Sequence, residues 1–364
     1  MRTFGLEEEF MFLDRVQLRP LNVGSQVLAR LRGTPRPSHF VHREFLASQI
    51  ERSSPVFTHL AQAEADLLTF RSRLAAAATE YQAVAAGVGT PFQAEGWPEI
   101  TETARYHRVG EEFRGLVPDH LINGLHVHVG IPNREAGVQT LNRIRVWLPT
   151  LLALSVNSPF WQGRDTGFSS WRSLHARRWP TAGCPPPTTA AADYDSRTRR
   201  LVGVGGTYDL HTIWWSARLA ERYPTVEVRV CDAQLDAAGT LLLTALIRAL
   251  VSTALADAER GTPPIHVDQE LLDASLWHAA RDGVRDGLLN PVTGALEPAA
   301  NVVAALLHTV DHALDQAGDG DRVRVLLERL RRLGSGAQRQ RAALHEGGRA
   351  GLVALFERSA TAHC

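Results

Sequence analysis

Residues 3–13, Thr3-Phe4-Gly5-Leu6-Glu7-Glu8-Glu9-Phe10-Met11-Phe12-Leu13, put three consecutive glutamates inside a run of β-forming and aromatic residues. Carboxylates are costly in a sheet, so this stretch constrains the fold more than any other. Side chains alternate along a strand, so Glu7 and Glu9 share one face and Glu8 points to the other. Phe4, Leu6, Phe10 and Phe12 lie on the side of Glu8, which reads as the core face. A carboxylate there stays ionised only if it is paired, and an arginine partner is expected. Glu7 and Glu9 form a pair of anions on the opposite face. Like charges that close repel unless a cation sits between them, which makes the pair a candidate metal site. The competing reading is a solvated edge strand with surface charge.

The chain has 364 residues and balanced charge, 39 basic against 39 acidic side chains. No global basic field points to nucleic acid or a membrane surface. Every basic residue is arginine and lysine is absent, which excludes a P-loop or Schiff-base lysine. Phosphate must be met by arginine, backbone N–H groups or metal. Cys184, Cys231 and Cys364 are scattered, with no C-x-x-C pair, which fits a reducing compartment. Met1-Arg2-Thr3 leads directly into the first strand, leaving no room for a signal peptide. No uninterrupted apolar run approaches the ~18 residues that span a bilayer. A cytoplasmic protein is expected, with residues 1–364 as one domain that is mostly helical from about residue 236.

Farther along, a Pro/Gly-punctuated region from Arg19 to Pro37 encloses a short helix near Ser25–Leu31. Glu44 and Glu51 follow, seven residues apart, on opposite faces of any regular strand, so the segment must bend if both serve one site. Helical spacing runs from Val56 to Ala83, and a short strand is expected at Val84–Val88. Gly124-Leu125-His126-Val127-His128-Val129-Gly130-Ile131-Pro132 places Leu125, Val127, Val129 and Ile131 on one face and His126 and His128 on the other. Two imidazoles at i, i+2 opposite an unbroken apolar face raise the case for a shared ligand or phosphate site. Asn133 to Asn157 reads as one helix capped by Asn133. Ser158 to about Arg199 reads as a long irregular segment, too aromatic for disorder and placed as a substrate or lid loop. Tyr223-Pro224-Thr225-Val226-Glu227-Val228-Arg229-Val230-Cys231-Asp232 sets Val226, Val228 and Val230 against Glu227, Arg229 and Cys231. Helices are expected over 236–260, 268–284, 299–316, 321–333 and 349–360. Arg281 and the cluster Arg339-Gln340-Arg341 are the basic residues expected to reach inward.

Three strands therefore share one design, apolar on one face and chemically loaded on the other. An antiparallel sheet covered by helices on one side could present Glu7, Glu9, His126, His128, Glu227 and Arg229 together. Carboxylates with imidazoles suit hard divalent cations and arginines suit phosphate, a combination pointing to phosphoryl chemistry. A zinc hydrolase built on His126 and His128 is the second reading.

These stretches, together with Gly163-Arg164-Asp165-Thr166-Gly167-Phe168, Arg178-Trp179-Pro180 and Ala279-Ala280-Arg281-Asp282-Gly283, resemble the glutamate–cysteine ligase type 2 family of carboxylate–amine ligases over about nine-tenths of the chain. The resemblance implies an α+β, glutamine-synthetase-like fold: a curved antiparallel sheet forming an active-site funnel, with helices packed on its outer face. By similarity, Glu7, Glu9, Glu44, Glu51, His126 and Glu227 would be metal ligands. Arg229, Arg172 and Glu227 would serve catalysis, and Arg108, His128, Arg281 and Arg339 would contact the nucleotide. The implied cofactors are ATP and Mg2+, with Mn2+ as the alternative metal. The implied partners are small molecules, an amino-acid carboxylate and an amine, with neither nucleic acid nor membrane; a homodimer is compatible. Glutamate and cysteine are the first substrate pair, with another amine or carboxylate, or a catalytically idle nucleotide binder, as alternatives. Trp214-Trp215-Ser216-Ala217-Arg218 departs from the family by carrying Ser216 where an aspartate is frequent.

Overall fold

The glutamate-bearing strand is the longest in the molecule and runs through the middle of its main sheet. The computed structural model describes residues 2–33 and 40–362; residues 34–39 of the Pro/Gly-punctuated region and Cys364 lie outside the described residues. In chain order the strands are β1 (Phe4–Asp14), β2 (Val41–Arg43), β3 (Gln49–Ser53), β4 (Ala83–Ala86), β5 (Gly124–Gly130), β6 (Phe160–Trp161), β7 (Arg164–Asp165), β8 (Ala217–Leu219), β9 (Thr225–Asp232), β10 (Gly287–Asn290) and β11 (Ala295–Pro298). The helices are α1 (Gly24–Arg32), α2 (Leu60–Thr79), α3 (Ala104–Phe113), α4 (Arg134–Ile144), α5 (Leu148–Ser155), α6 (Trp171–Ala176), α7 (Ala191–Gly203), α8 (Ala237–Glu259), α9 (Gln269–Asp282), α10 (Ala299–Ala317), α11 (Gly320–Leu333) and α12 (Gly336–Thr361).

Strand order in the sheet is β2-β3-β1-β5-β9-β8, with β4 added to β1, and every pairing is antiparallel. Register aligns the loaded positions: Glu9 lies opposite Glu51, Glu7 opposite His126, and Glu227 opposite both His128 and Arg218. On the other face Phe4, Leu6, Leu125, Val127, Val129, Val226 and Val228 join one core with the apolar sides of α4, α5, α8 and α10. Phe10, Phe12 and Ile50 pack on α1 and α2. Side-chain caps set helix starts: Asn133 accepts from the Ala136 N–H at 2.9 Å, as the sequence suggests, and Asp236 accepts from the Gly239 N–H at 3.0 Å. By length and composition α8 could cross a bilayer, but most of its apolar surface is buried in this core.

Glu8 sits on the helix-covered face, as alternation requires. It is 3% exposed, bridged by the Arg71 guanidinium of α2, and accepts from Thr240 Oγ1 of α8 at 2.8 Å. Arg71 in turn donates to the carbonyls of Leu235 and Gln234, at 3.0 and 3.1 Å. The expected arginine partner is present.

Several expectations are corrected. The loaded face is not open along its length: Met11 and Leu13, in phase with Glu7 and Glu9, are buried against Phe45, Phe92, Trp161 and the α12 residues Leu352 and Phe356. Residues 133–157 divide into α4, a 3-10 turn and α5. The segment 158–199 is ordered: Trp161, Arg172, His175 and Trp179 are buried, and it contains the β6–β7 hairpin, α6 and the start of α7. It forms packed wall and floor rather than a free lid, with Arg341 of α12 holding Asp165 at 2.7 and 2.8 Å. A register shift between Leu125 and Val127 gives β9 one extra residue, a β-bulge. The shift places Cys231 opposite Leu125 and into the core, not beside Glu227 and Arg229.

Candidate active site

Where the sheet is uncovered, a cavity of about 560 Å³ is lined by Glu7, Glu9, Glu44, Glu51, His126, His128, Glu227 and Arg229. Glu44 and Glu51 meet because β2 ends at Arg43 and the chain turns through residues 44–48 before β3, the bend their spacing demanded. Glu7 Oε2 lies 3.0 Å from His126 Nδ1, and Glu7 Oε1 lies 3.4 Å from His128 Nε2. His126 Nε2 is 3.7 Å from Glu9 Oε1, and its Nδ1 is 3.9 Å from Glu227 Oε1. Glu9 Oε2 accepts from the Gly124 N–H at 2.6 Å. A Cβ at 124 would stand 2.4 Å from Arg172 Nη2, so a larger residue there would displace the Arg172 guanidinium.

Electrostatics divide the carboxylates. Burial pushes Glu9 up to about 8, reinforced by the charge of Glu44. Burial, then Glu7, Glu44 and Glu9, hold Glu51 well above the usual carboxylate range, and burial raises Glu44 as well. Burial would also raise Glu7 and Glu227. For Glu7 the contacts with His126 and His128 outweigh it, and for Glu227 the charges of Arg229 and Arg218 do, so both are held low. Burial and Arg229 bring His126 down to about 4, leaving a neutral imidazole able to donate a lone pair.

This donor set fits a hard divalent cation. Glu7, Glu51 and His126 each offer a ligand atom within 4.8 Å of the others, and so do Glu7, His128 and Glu227. His128 Nε2 is buried without a hydrogen-bond partner, because its approach to Glu7 lacks the geometry for one. An orphaned imidazole nitrogen among mutually repelling carboxylates is the environment a cation relieves.

The remaining expected site residues separate. Arg172 lies in an adjoining small pocket, sharing Trp214 and Arg229 with the main cavity. Its guanidinium donates to the carbonyls of Val230 and Arg229 at 3.3 and 3.2 Å, while its Nε is buried and unpartnered. Ser216 lines the same pocket, which holds Arg172, Arg177 and Arg229 and no carboxylate among its lining residues. Arg108 does not line the cavity; it is exposed on α3 and donates to Tyr208 Oη at 3.2 Å. Arg281 pairs with Asp282 at 2.7 Å and covers the Trp277 ring, and Arg339 pairs with Asp236 at 2.8 Å; neither lines the cavity. Of the 339–341 cluster, Gln340 is the residue that turns inward, donating to Asn157. Residues that sequence reasoning missed include Arg218, Arg105, and an aromatic wall of Phe45, Tyr106, Phe113, His120 and Trp214. Trp214 stacks on Trp179 at 5.6 Å, and His120 meets both edge-on. Arg105, Tyr106 and Phe113 come from α3, Phe45, His120 and Trp214 from separate loops, and Arg218 from a three-residue strand too short to show periodicity.

The fold is that of the glutamate–cysteine ligases. The chain superposes on the glutamate–cysteine ligase of Francisella tularensis, solved in complex with AMP, with a TM-score of 0.71 and 12% identity, covering 99% of this chain and 88% of that one. A bifunctional glutathione synthetase from Pasteurella multocida gives a TM-score of 0.66 at 13% identity, covering 99% of this chain and 52% of that one, so the match spans about half of the larger protein. The chain belongs to glutamate-cysteine ligase family 2, whose model matches residues 3–355. A Saccharopolyspora erythraea protein provisionally named glutamate–cysteine ligase 2-2 is 38% identical over 356 residues, 97% of this chain and 91% of that protein. A Streptomyces coelicolor protein provisionally named glutamate–cysteine ligase 2 is 37% identical over 349 residues, 96% of each chain. Membership makes this chain a ligase of the glutamate–cysteine ligase type.

Proposed function

We propose that the protein is an ATP-dependent carboxylate–amine ligase that forms an amide through an acyl phosphate, with glutamate and cysteine as the first substrate pair. The observation that carries this reading is the convergence of Glu7, Glu9, Glu44, Glu51, Glu227, His126, His128 and Arg229 on one cavity of the sheet. The AMP bound in the Francisella neighbour supports nucleotide use.

Glu7, Glu9, Glu44, Glu51, His126, His128 and Glu227 would hold Mg2+ or Mn2+, which when bound offsets the charge of the ATP phosphates and of the transferred phosphoryl group. The substrate carboxylate attacks the γ-phosphorus, releasing ADP. The amine then displaces phosphate from the acyl carbon through a tetrahedral intermediate. Arg229, held by Glu227 on β9, faces the developing negative charge, an interaction worth about 3–4 kcal/mol for a well-placed donor. Arg172 and Arg229 flank the pocket that Ser216 lines; each already faces one acid, Asp232 at 3.8 Å and Glu227, and no carboxylate lines the pocket itself, a place suited to a substrate carboxylate. The buried aromatic wall limits water around the acyl phosphate.

The test is incubation with ATP, Mg2+, glutamate and a panel of amines, measuring ADP and amide together. Stoichiometric ADP and amide are expected. Amide product without ADP would overturn the ligase reading, and neither product would favour an idle homologue. Strong turnover with an amine other than cysteine would move the enzyme to a specialised pathway within the same chemistry.

A further inference from the structure

Arg218 stands on the edge strand β8, and its side chain is 13% exposed. Its guanidinium joins the 210–213 turn to Glu227; Arg229, which pairs with Glu227 and lies 5.8 Å from the Trp214 ring centre, makes a second contact between the same parts of the cavity but none with the turn's carbonyls. Arg218 Nε donates to Glu227 Oε2 at 2.8 Å and Nη2 to Glu227 Oε1 at 3.3 Å. Nη1 donates to the carbonyls of His211 and Ile213, at 2.6 and 3.1 Å. Those carbonyls belong to the 3-10 turn Leu210–Thr212, which Asp209 caps by accepting from the Thr212 N–H at 2.8 Å. His211, Thr212 and Trp214 all line the cavity. Asp209 also meets Arg105 of α3 at 3.4 Å, and its neighbour Tyr208 receives Arg108.

We infer that Arg218 is a positioning residue that anchors the 210–213 turn, and with it the Trp214 wall, to Glu227, so that this turn and the cation site are coupled. The coupling rests on the proposed cation-binding role of Glu227; the anchoring does not. Charge-assisted hydrogen bonds on both ends of one planar fork give the link its rigidity. A lysine cannot reproduce it, because a single ammonium cannot span both Glu227 oxygens and two carbonyls on the other side. Coupling of this kind is reciprocal: whatever fixes Glu227 orders the turn by the same factor.

The test is hydrogen exchange of peptides covering 209–214 in the full chain, with Arg218→Ala, Arg218→Lys and a control, Arg248→Ala. Arg248 makes a comparable buried ion pair with Asp319 and does not line the cavity. Without metal, both Arg218 variants are expected to exchange these amides at least about fivefold faster than wild type, and Arg248→Ala at the wild-type rate. If Arg218→Ala does not fold, Arg218→Lys carries the comparison. Unchanged exchange in the Arg218 variants overturns the anchoring. Mn2+ alone, with binding followed by calorimetry, is expected to slow the same amides at least about fivefold in wild type and not in Arg218→Lys. Binding by wild type without added protection overturns the coupling alone. No Mn2+ binding by wild type overturns the coupling and the cation reading together, and the metal-free comparison still decides the anchoring.

Discussion

Glu7, Glu8 and Glu9 are neighbours in sequence, yet the two faces of the sheet treat them oppositely. On the helix-covered face Glu8 has one guanidinium, one hydroxyl and a closed network around both. On the cavity face Glu7 and Glu9 meet Glu44, Glu51 and Glu227 with two imidazoles and too few cations near Glu9 and Glu51, whose carboxyl groups are pushed up by burial and by one another. The same residue type is structural where its charge is matched, and where it is not we propose that it serves the cation site. Stability and function therefore separate by parity along one strand.

The largest expected effect breaks the matched side. Arg71→Ala leaves Glu8 buried and unpaired and is expected to cost about 3–5 kcal/mol in denaturant unfolding, whereas a volume-matched apolar replacement of both residues removes the unpaired charge and is expected to cost less, the remaining loss coming from the Leu235 and Gln234 carbonyls it leaves without a donor. On the unmatched side, Glu7→Gln is expected to lower ligase turnover about 10²–10³-fold with little loss of stability. Glu9→Gln should raise the melting temperature at pH 8. With Glu9 at about 8 in the folded state against 4.5 unfolded, the unfolded chain binds fewer protons between those values, so ionising Glu9 removes stability as pH rises.

A smaller effect concerns the aromatic wall. Burial brings His120 down to about 3 and His175 down to about 4, from an ordinary 6.5. The unfolded chain takes up these protons first, so stability is full above about pH 6.5 and falls as pH drops toward 4, by up to about 1.4 kcal/mol per pH unit for each group. Both ring nitrogens of His175 are buried without partners, so His175→Phe should flatten a melting-temperature profile between pH 6.5 and 4.5. The smallest effect is expected at Arg108 and Arg281: alanine at either should change turnover less than about twofold, because both lie outside the cavity and their contacts are exposed or partly exposed ones.

The sequence made the faces of β1 and β5 legible because strand alternation is strict, with an unbroken apolar side on β5 and one interrupted only by Glu8 on β1. The cap at Asn133 was legible for a local reason, the side-chain hydrogen bond to the first turn. Cys231 was not, because a bulge in β9 shifts parity by one residue and leaves no mark in composition. Arg218 was hidden by a strand of three residues. Arg108, Arg281 and Arg339 look alike as basic residues; Arg108 and Arg339 are held away from the cavity by Tyr208 and Asp236, partners fixed only by tertiary packing, and Arg281 pairs with its neighbour Asp282.

The contrast between the two faces is tested most directly by Mn2+ calorimetry on wild type, Glu7→Gln and the volume-matched apolar replacement of Glu8 and Arg71. Glu7 belongs to both groups of potential ligands, and Glu8 to neither. Wild type and the Glu8/Arg71 variant are expected to bind Mn2+ with the same affinity, and Glu7→Gln at least about 10-fold more weakly. Equal affinity in Glu7→Gln, or loss of binding in the Glu8/Arg71 variant, would contradict the assignment of the cavity face to metal and the helix-covered face to structure.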